Sequence, residues 1–73
     1  MKREILIRMA NEIARNLRAQ AGDQACSATA AHLRSFWTPG MRAELIAHAK
    51  AGGEGLDPIA LEAGLRLGGA AAP

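Results

Sequence analysis

The chain contains a single cysteine, Cys26, so it cannot close an internal disulfide. Its 73 residues allow one small domain, and a domain of this size buries only about 60% of the surface that the unfolded chain exposes. Two histidines and one cysteine also fall short of the four ligands that a structural zinc site needs. Because small domains are stabilised by disulfides, metals or partners, the sequence predicts that this chain associates with another protein.

The composition favours helices throughout. Seventeen residues are alanine, and valine and tyrosine are absent. No segment alternates between apolar and polar residues as a half-buried strand does. Apolar residues instead recur at helical spacing in four segments, over about residues 3–20, 24–37, 39–50 and 58–67. The sequence therefore predicts an all-α fold, a small bundle of three to four short helices.

Turn and capping residues separate the predicted helices. A break is expected at residues 21–23 and a glycine loop at residues 51–55. Thr38 and Asp57 each precede a proline, the order that is typical of an N-cap followed by the first helical position. We expect residues 1–67 to form a single helical domain and residues 68–73 a flexible C-terminal tail.

The first predicted helix has an apolar surface wider than one core requires. Ile5 and Ile7 lie on opposite flanks of its apolar stripe, so the apolar arc spans about 200°. We expect one part of this surface to face the core and another part to face a partner. The residues expected in the core are Leu6, Ile13, Leu17, Leu33 and Leu45.

Charge is distributed unevenly along the chain. Residues 1–20 hold five basic and two acidic side chains, whereas residues 21–73 hold four basic and five acidic ones. A basic end can contact nucleic acid, an anionic lipid surface or an acidic protein, although a solvated helix face is the simpler explanation. No segment has the apolar run of a secretory signal or a membrane span. With the lone thiol, this predicts a cytoplasmic protein without a membrane partner.

The polar residues do not form a recognisable catalytic or metal-binding pattern. Cys26 and His32 lie about 240° apart on the second predicted helix, too far round it to pair as nucleophile and base. Cys26 is expected to act as a small buried hydrophobe, and His32 and His48 are expected to form hydrogen bonds at the edge of the core. The glycines of residues 52–55 lack the strand and the Lys-Ser/Thr ending of a phosphate loop. We expect no catalytic, cofactor-binding or metal-binding residue in this chain.

A small basic DNA-binding protein of helix-turn-helix type is the alternative function. The second and third predicted helices are joined tightly, and the first helix is basic. However, the third helix offers only Arg42 and Glu44 near its N-terminus, where contacts to bases are expected. The preferred interpretation therefore has no nucleic-acid partner. A helix that lies on an anionic membrane surface is a third, less favoured class.

Three segments resemble one known family. Residues 8–14 (RMANEIA) are similar to its R-M-A-N-x-I-[AG] opening. Residues 32–42 (HLRSFWTPGMR) are similar to H-[IL]-[RK]-x-F-W-x-P-x-M-R, and residues 53–59 (GEGLDPI) to G-x-G-L-x-P-[IL]. In order, separation and total length, the chain resembles the delta subunit of cytoplasmic NAD-dependent formate dehydrogenase, which contains molybdenum.

The resemblance implies a non-catalytic accessory subunit that assembles or stabilises a multi-subunit complex. That complex oxidises formate to carbon dioxide and passes electrons through iron–sulfur clusters and FMN to NAD. The molybdenum cofactor, the clusters, FMN and NAD would all belong to larger partner subunits, with no cofactor in this chain. The catalytic alpha subunit is the expected direct partner, with the beta and gamma subunits in the same complex.

Six residues are the candidates for partner binding. They are Arg8, Asn11, Phe36, Trp37, Met41 and Arg42. Trp37 is equally suited to anchor a partner or to fill the core, since large aromatic residues dominate both settings. Phe36 and Met41 are expected in the core more than at the surface. Asn11 is a candidate because asparagine is intrinsically disfavoured inside a helix, and both arginines can pair with an acidic surface.

Overall fold

Four α-helices make up the part of the chain that the computed structural model describes, residues 2–69. They are α1 (Arg3–Ala21), α2 (Ala25–Phe36), α3 (Pro39–Lys50) and α4 (Pro58–Leu67), and a short 3₁₀ turn, Gly22–Gln24, joins α1 to α2. Residues 2–69 contain no strand, so the predicted all-α bundle is confirmed. The division into a domain of residues 1–67 and a tail of residues 68–73 stays a prediction, because Met1 and residues 70–73 lie outside the described residues.

Two side chains begin helices where the sequence predicts. The Thr38 hydroxyl accepts a hydrogen bond from the Met41 N–H at 3.2 Å, at the start of α3. The Asp57 carboxylate accepts one from the Ile59 N–H at 2.9 Å, at the start of α4. Each contact satisfies a backbone donor that has no partner within its own helix. These caps fix where α3 and α4 begin.

The turn after α1 places α1 and α2 side by side. Gly22 adopts φ +54°, in the left-handed region that glycine tolerates best, and its N–H donates to the Arg18 carbonyl. Two packed helices joined by only three residues run antiparallel. The start of α1 therefore lies beside the end of α2.

The core combines a few large side chains with many alanines. Leu6, Leu33, Trp37 and Leu45 are each at most 6% exposed. The alanines that belong to the same cluster are Ala10, Ala14, Ala30, Ala60 and Ala63. Since α4 packs against each of the other three helices, it closes the core that α1, α2 and α3 leave open.

Three of the five predicted core residues are fully buried, and two lie further out. Leu6, Leu33 and Leu45 are confirmed as core. Ile13 is half-buried and packs against the core from its edge, and Leu17 is also half-buried. Both lie towards the seam between α1 and α2.

The two neighbouring aromatic residues have opposite environments. Trp37 is 6% exposed and belongs to the core cluster, whereas Phe36 is 75% exposed. The expectation that Phe36 lies in the core is therefore wrong. Successive residues of a helix point about 100° apart, and at the end of α2 it is Trp37 that turns inward. Met41 is half-buried and packs against the core.

A glycine allows α3 and α4 to pack closely. A Cβ atom on Gly64 would lie 3.1 Å from the Ala49 Cβ and 3.6 Å from the Leu45 Cγ. The intrinsic helical penalty of glycine, about 1 kcal/mol relative to alanine, is thus offset by the close contact that it permits. Ala49 is itself only 4% exposed, so it cannot move without moving α3.

We predict that Gly64→Val lowers the free energy of unfolding by about 2 kcal/mol, because it overpacks the contact between α3 and α4. Urea denaturation followed by circular dichroism measures this. Gly40→Val is the matched control, since a Cβ on Gly40 meets nothing within 4 Å. Equal stability of the two variants would contradict the proposed tight contact.

Candidate functional site

The six candidate partner-binding residues do not share one environment. Phe36 and Arg8 are exposed, Trp37 is buried, and the other three are half-buried. Within residues 2–69, Arg8 makes no side-chain hydrogen bond, whereas Asn11 and Arg42 bond to other parts of the chain. The residues that bond to other parts of the chain and the residues that remain exposed therefore need separate explanations.

Asn11 connects α1 to the loop that precedes α4. Its Nδ2 donates to the Gly55 carbonyl at 2.9 Å, and its Oδ1 accepts from the Asp57 N–H at 2.8 Å. The first group belongs to the glycine loop, where Gly55 has φ +85°, and the second belongs to the N-cap residue of α4. An asparagine inside a helix is thus explained by a contact within the chain.

Arg18 strengthens the same junction. Its guanidinium lies 2.8 Å from one Asp57 carboxylate oxygen and 2.9 Å from the other. Both contacts come from the Nη2 atom. Half of the Arg18 side chain is exposed, and an exposed ion pair contributes at most about 1 kcal/mol. Asp57 therefore caps α4 and binds α1 at the same time.

Arg42 connects α3 to the end of α2. Its guanidinium donates to the Trp37 carbonyl and, at 3.1 Å, to the Arg34 carbonyl. The last carbonyls of a helix lack partners within it and attract positive charge. Thr38 caps α3, Trp37 is buried in the core, and Arg42 binds the end of α2. Most of the F-W-x-P-x-M-R motif therefore stabilises the corner between α2 and α3.

This corner does not favour the DNA-binding alternative. In a helix-turn-helix protein the N-terminal residues of the second helix contact bases. Here Met41 packs against the core, and Arg42 is engaged by carbonyls of α2. Of the two residues that the sequence offers for base contacts, Arg42 is thus occupied within the chain.

Phe36, like Arg8, is a motif residue that the internal packing does not explain. Its ring centroid lies 4.7 Å from that of His32, one turn earlier on α2, with the two planes tilted by 38°. The His32 Nδ1 atom is buried and has no hydrogen-bond partner in the described part of the chain. The aromatic pair therefore stands at the surface, with one face of Phe36 open to solvent.

A groove lies beside this aromatic pair, along the seam of α1 and α2. It has a volume of about 250 Å³. Its lining residues are Ile13, Asn16, Leu17, Gln20 and His32. The sequence predicts no groove at this place, although the wide apolar arc of the first helix is its signal. The groove itself depends on how closely α2 approaches α1, which the pattern of one helix cannot predict.

His48 and Cys26 have structural explanations. The His48 Nε2 lies 2.8 Å from the Glu54 carbonyl oxygen, which confirms the predicted hydrogen bond at the edge of the core. Burial raises the pKa of the Cys26 thiol above its ordinary value, nearby Arg66 opposes the rise, and Glu62 adds to it.

Within residues 2–69, no group of three or more His, Cys, Asp or Glu residues is placed to hold a metal ion. Over the same range, no helix combines the length and the hydropathy needed to cross a membrane.

We predict that Asn11→Ala lowers the free energy of unfolding by about 2 kcal/mol, because it removes two hydrogen bonds that each contribute about 1 kcal/mol. Thermal or urea unfolding measures the loss. Asn16→Ala is the matched control on the same helix, because Asn16 is exposed and forms no such bonds in the described structure. A loss for Asn11→Ala no greater than for Asn16→Ala would contradict the role of Asn11.

We also predict that the folded chain reacts with iodoacetamide at pH 8 about tenfold more slowly than the urea-unfolded chain. The thiolate is the reactive form, and a raised pKa together with partial burial keeps it scarce. Mass spectrometry follows the reaction directly, because Cys26 is the one cysteine of the chain. Equal rates in the folded and unfolded states would contradict a protected thiol.

Comparison with known proteins gives one match. The family model described as the NADH-dependent formate dehydrogenase delta subunit matches residues 5–63. No curated protein and no solved structure matches the chain at a significant level. The family match includes α1, α2, α3 and most of α4, together with all three segments that carry the resemblance. The chain therefore belongs to the delta subunit family of NADH-dependent formate dehydrogenase.

Proposed function

We propose that this chain is a non-catalytic accessory subunit that assembles or stabilises the formate dehydrogenase complex. The observation that carries the proposal is the family match over residues 5–63, four-fifths of the chain. The exposed Phe36 side chain and the groove of mixed polar and apolar lining beside it support it, because an exposed apolar side chain next to a groove is typical of a surface that binds another protein. The proposal places the chain in the cytoplasm, where the complex acts.

The direct partner proposed is the catalytic alpha subunit, with the beta and gamma subunits in the same complex. The molybdenum cofactor, iron–sulfur clusters, FMN and NAD are proposed to reside in those larger chains. The donor set of this chain does not fit an iron–sulfur cluster, since a cluster takes about four cysteine ligands and the chain has one cysteine. In this proposal the chain contributes a contact surface, and its binding orders the structure of its partner.

Co-purification tests the proposal. We expect an affinity-tagged chain produced in its host to recover the larger subunits and formate-dependent NAD reduction in the eluate. An unrelated tagged helical protein of similar size is the control. Recovery of the tagged chain alone, folded and monomeric, would contradict the proposal.

A deletion of the gene separates assembly from catalysis. Without this chain, we expect less assembled complex in native mass spectrometry but an unchanged turnover rate per molybdenum in the complex that remains. A turnover rate that falls while assembly is complete would contradict an accessory role in assembly. Complementation with the wild-type chain restores the amount of complex if the deletion itself is the cause.

A further inference from the structure

We propose that the seam between α1 and α2 binds one uncharged, apolar segment of a larger subunit, with Phe36 as the anchor. The seam face is defined as the groove residues Ile13, Asn16, Leu17, Gln20 and His32, together with Ile5 and Phe36. The inference rests on the proposed function and adds to it the surface that docks and the chemistry of what it binds.

Exposed apolar side chains mark one end of this face. Within residues 2–69, Ile5 and Phe36 are the large hydrophobic residues that remain exposed, at 40% and 75%. Ile5 lies near the start of α1 and Phe36 is the last residue of α2. Because the two helices run antiparallel, both side chains lie at the same end of the seam. A rigid aromatic beside a hollow is the arrangement expected of an interface anchor.

Charge selects the kind of segment. The residues that line the groove include no Lys, Arg, Asp or Glu, and the charged residues Arg8 and Glu12 border the face along α1 beside Ile5 and Asn16. A charged side chain brought into the groove would lose water without gaining a counter-charge. The amides of Asn16 and Gln20 offer both donors and acceptors, which suit the backbone groups of a bound peptide. The complement of this face is thus an uncharged segment that presents apolar side chains together with its own backbone polar groups.

Size favours a segment over a second copy of the chain. A stable dimer buries about 800 Å² on each partner, nearly a fifth of the 4408 Å² that this chain exposes. The groove and the two exposed apolar side chains together form a patch of much smaller area than that. It matches instead the way a single amphipathic helix lays one face into a groove on its partner.

The test introduces a charge into the groove. We expect Asn16→Glu to reduce co-purification of the larger subunits at least tenfold, and Phe36→Ala to reduce it similarly. Ala47→Glu is the matched control, because it adds the same charge at an exposed position on α3, away from the seam. Circular dichroism and thermal melting check that the variants stay folded. We expect them to fold, because all three substituted residues are exposed.

The outcomes separate this inference from the proposed function. If the wild-type chain and Asn16→Glu recover the complex equally, the seam face is not the docking surface, although the proposed function stands. If the wild-type chain recovers nothing, the proposed function fails and this inference fails with it. If the wild-type chain alone sediments as a dimer that Asn16→Glu dissociates, a second copy occupies the face and the inference is overturned.

Discussion

Close packing between small side chains is the constraint on which this fold depends. The core contains four large side chains for four helices. These side chains would hold the helices only loosely if other bulky residues kept the helices apart. Alanines that are fully or almost fully buried fill the positions between them, and Gly64 lets α4 lie against Ala49 of α3. Dispersion contacts fall off steeply with distance, so short separations between helices recover stabilisation that the few large residues cannot supply alone.

Polar contacts then fix how the closely packed helices are connected. Asp57 caps α4 while it binds Arg18, and Asn11 bonds to the loop in front of that cap. At the other corner, Arg42 binds the last carbonyls of α2. Residues that stand out in the family motifs are therefore explained by architecture in most cases. Phe36 and Arg8 are exceptions, and the exposure of Phe36 next to the α1–α2 groove is why we propose that surface for binding.

A small subunit whose apolar surface is divided between its own core and an accessible face suits a role in a larger assembly. Its internal contacts use one part of the apolar surface of α1, and the seam with α2 leaves another part accessible. In the proposed complex, burial of that second surface would add hydrophobic stabilisation for the small chain and its partner together. Such mutual stabilisation is a physical basis for an accessory role that involves no catalytic group.

The sequence by itself determined the four helices, their caps at Thr38 and Asp57, and the family. These depend on local pattern: apolar spacing, the preference of threonine and aspartate for N-caps, and motifs of adjacent residues. Only the tertiary structure decided that Trp37 enters the core while Phe36 does not, and that Asn11 and Arg42 bind the chain itself. It alone also produced the groove. The physical reason is that the environment of a side chain depends on which helix packs against it, and that contact joins residues far apart in the sequence.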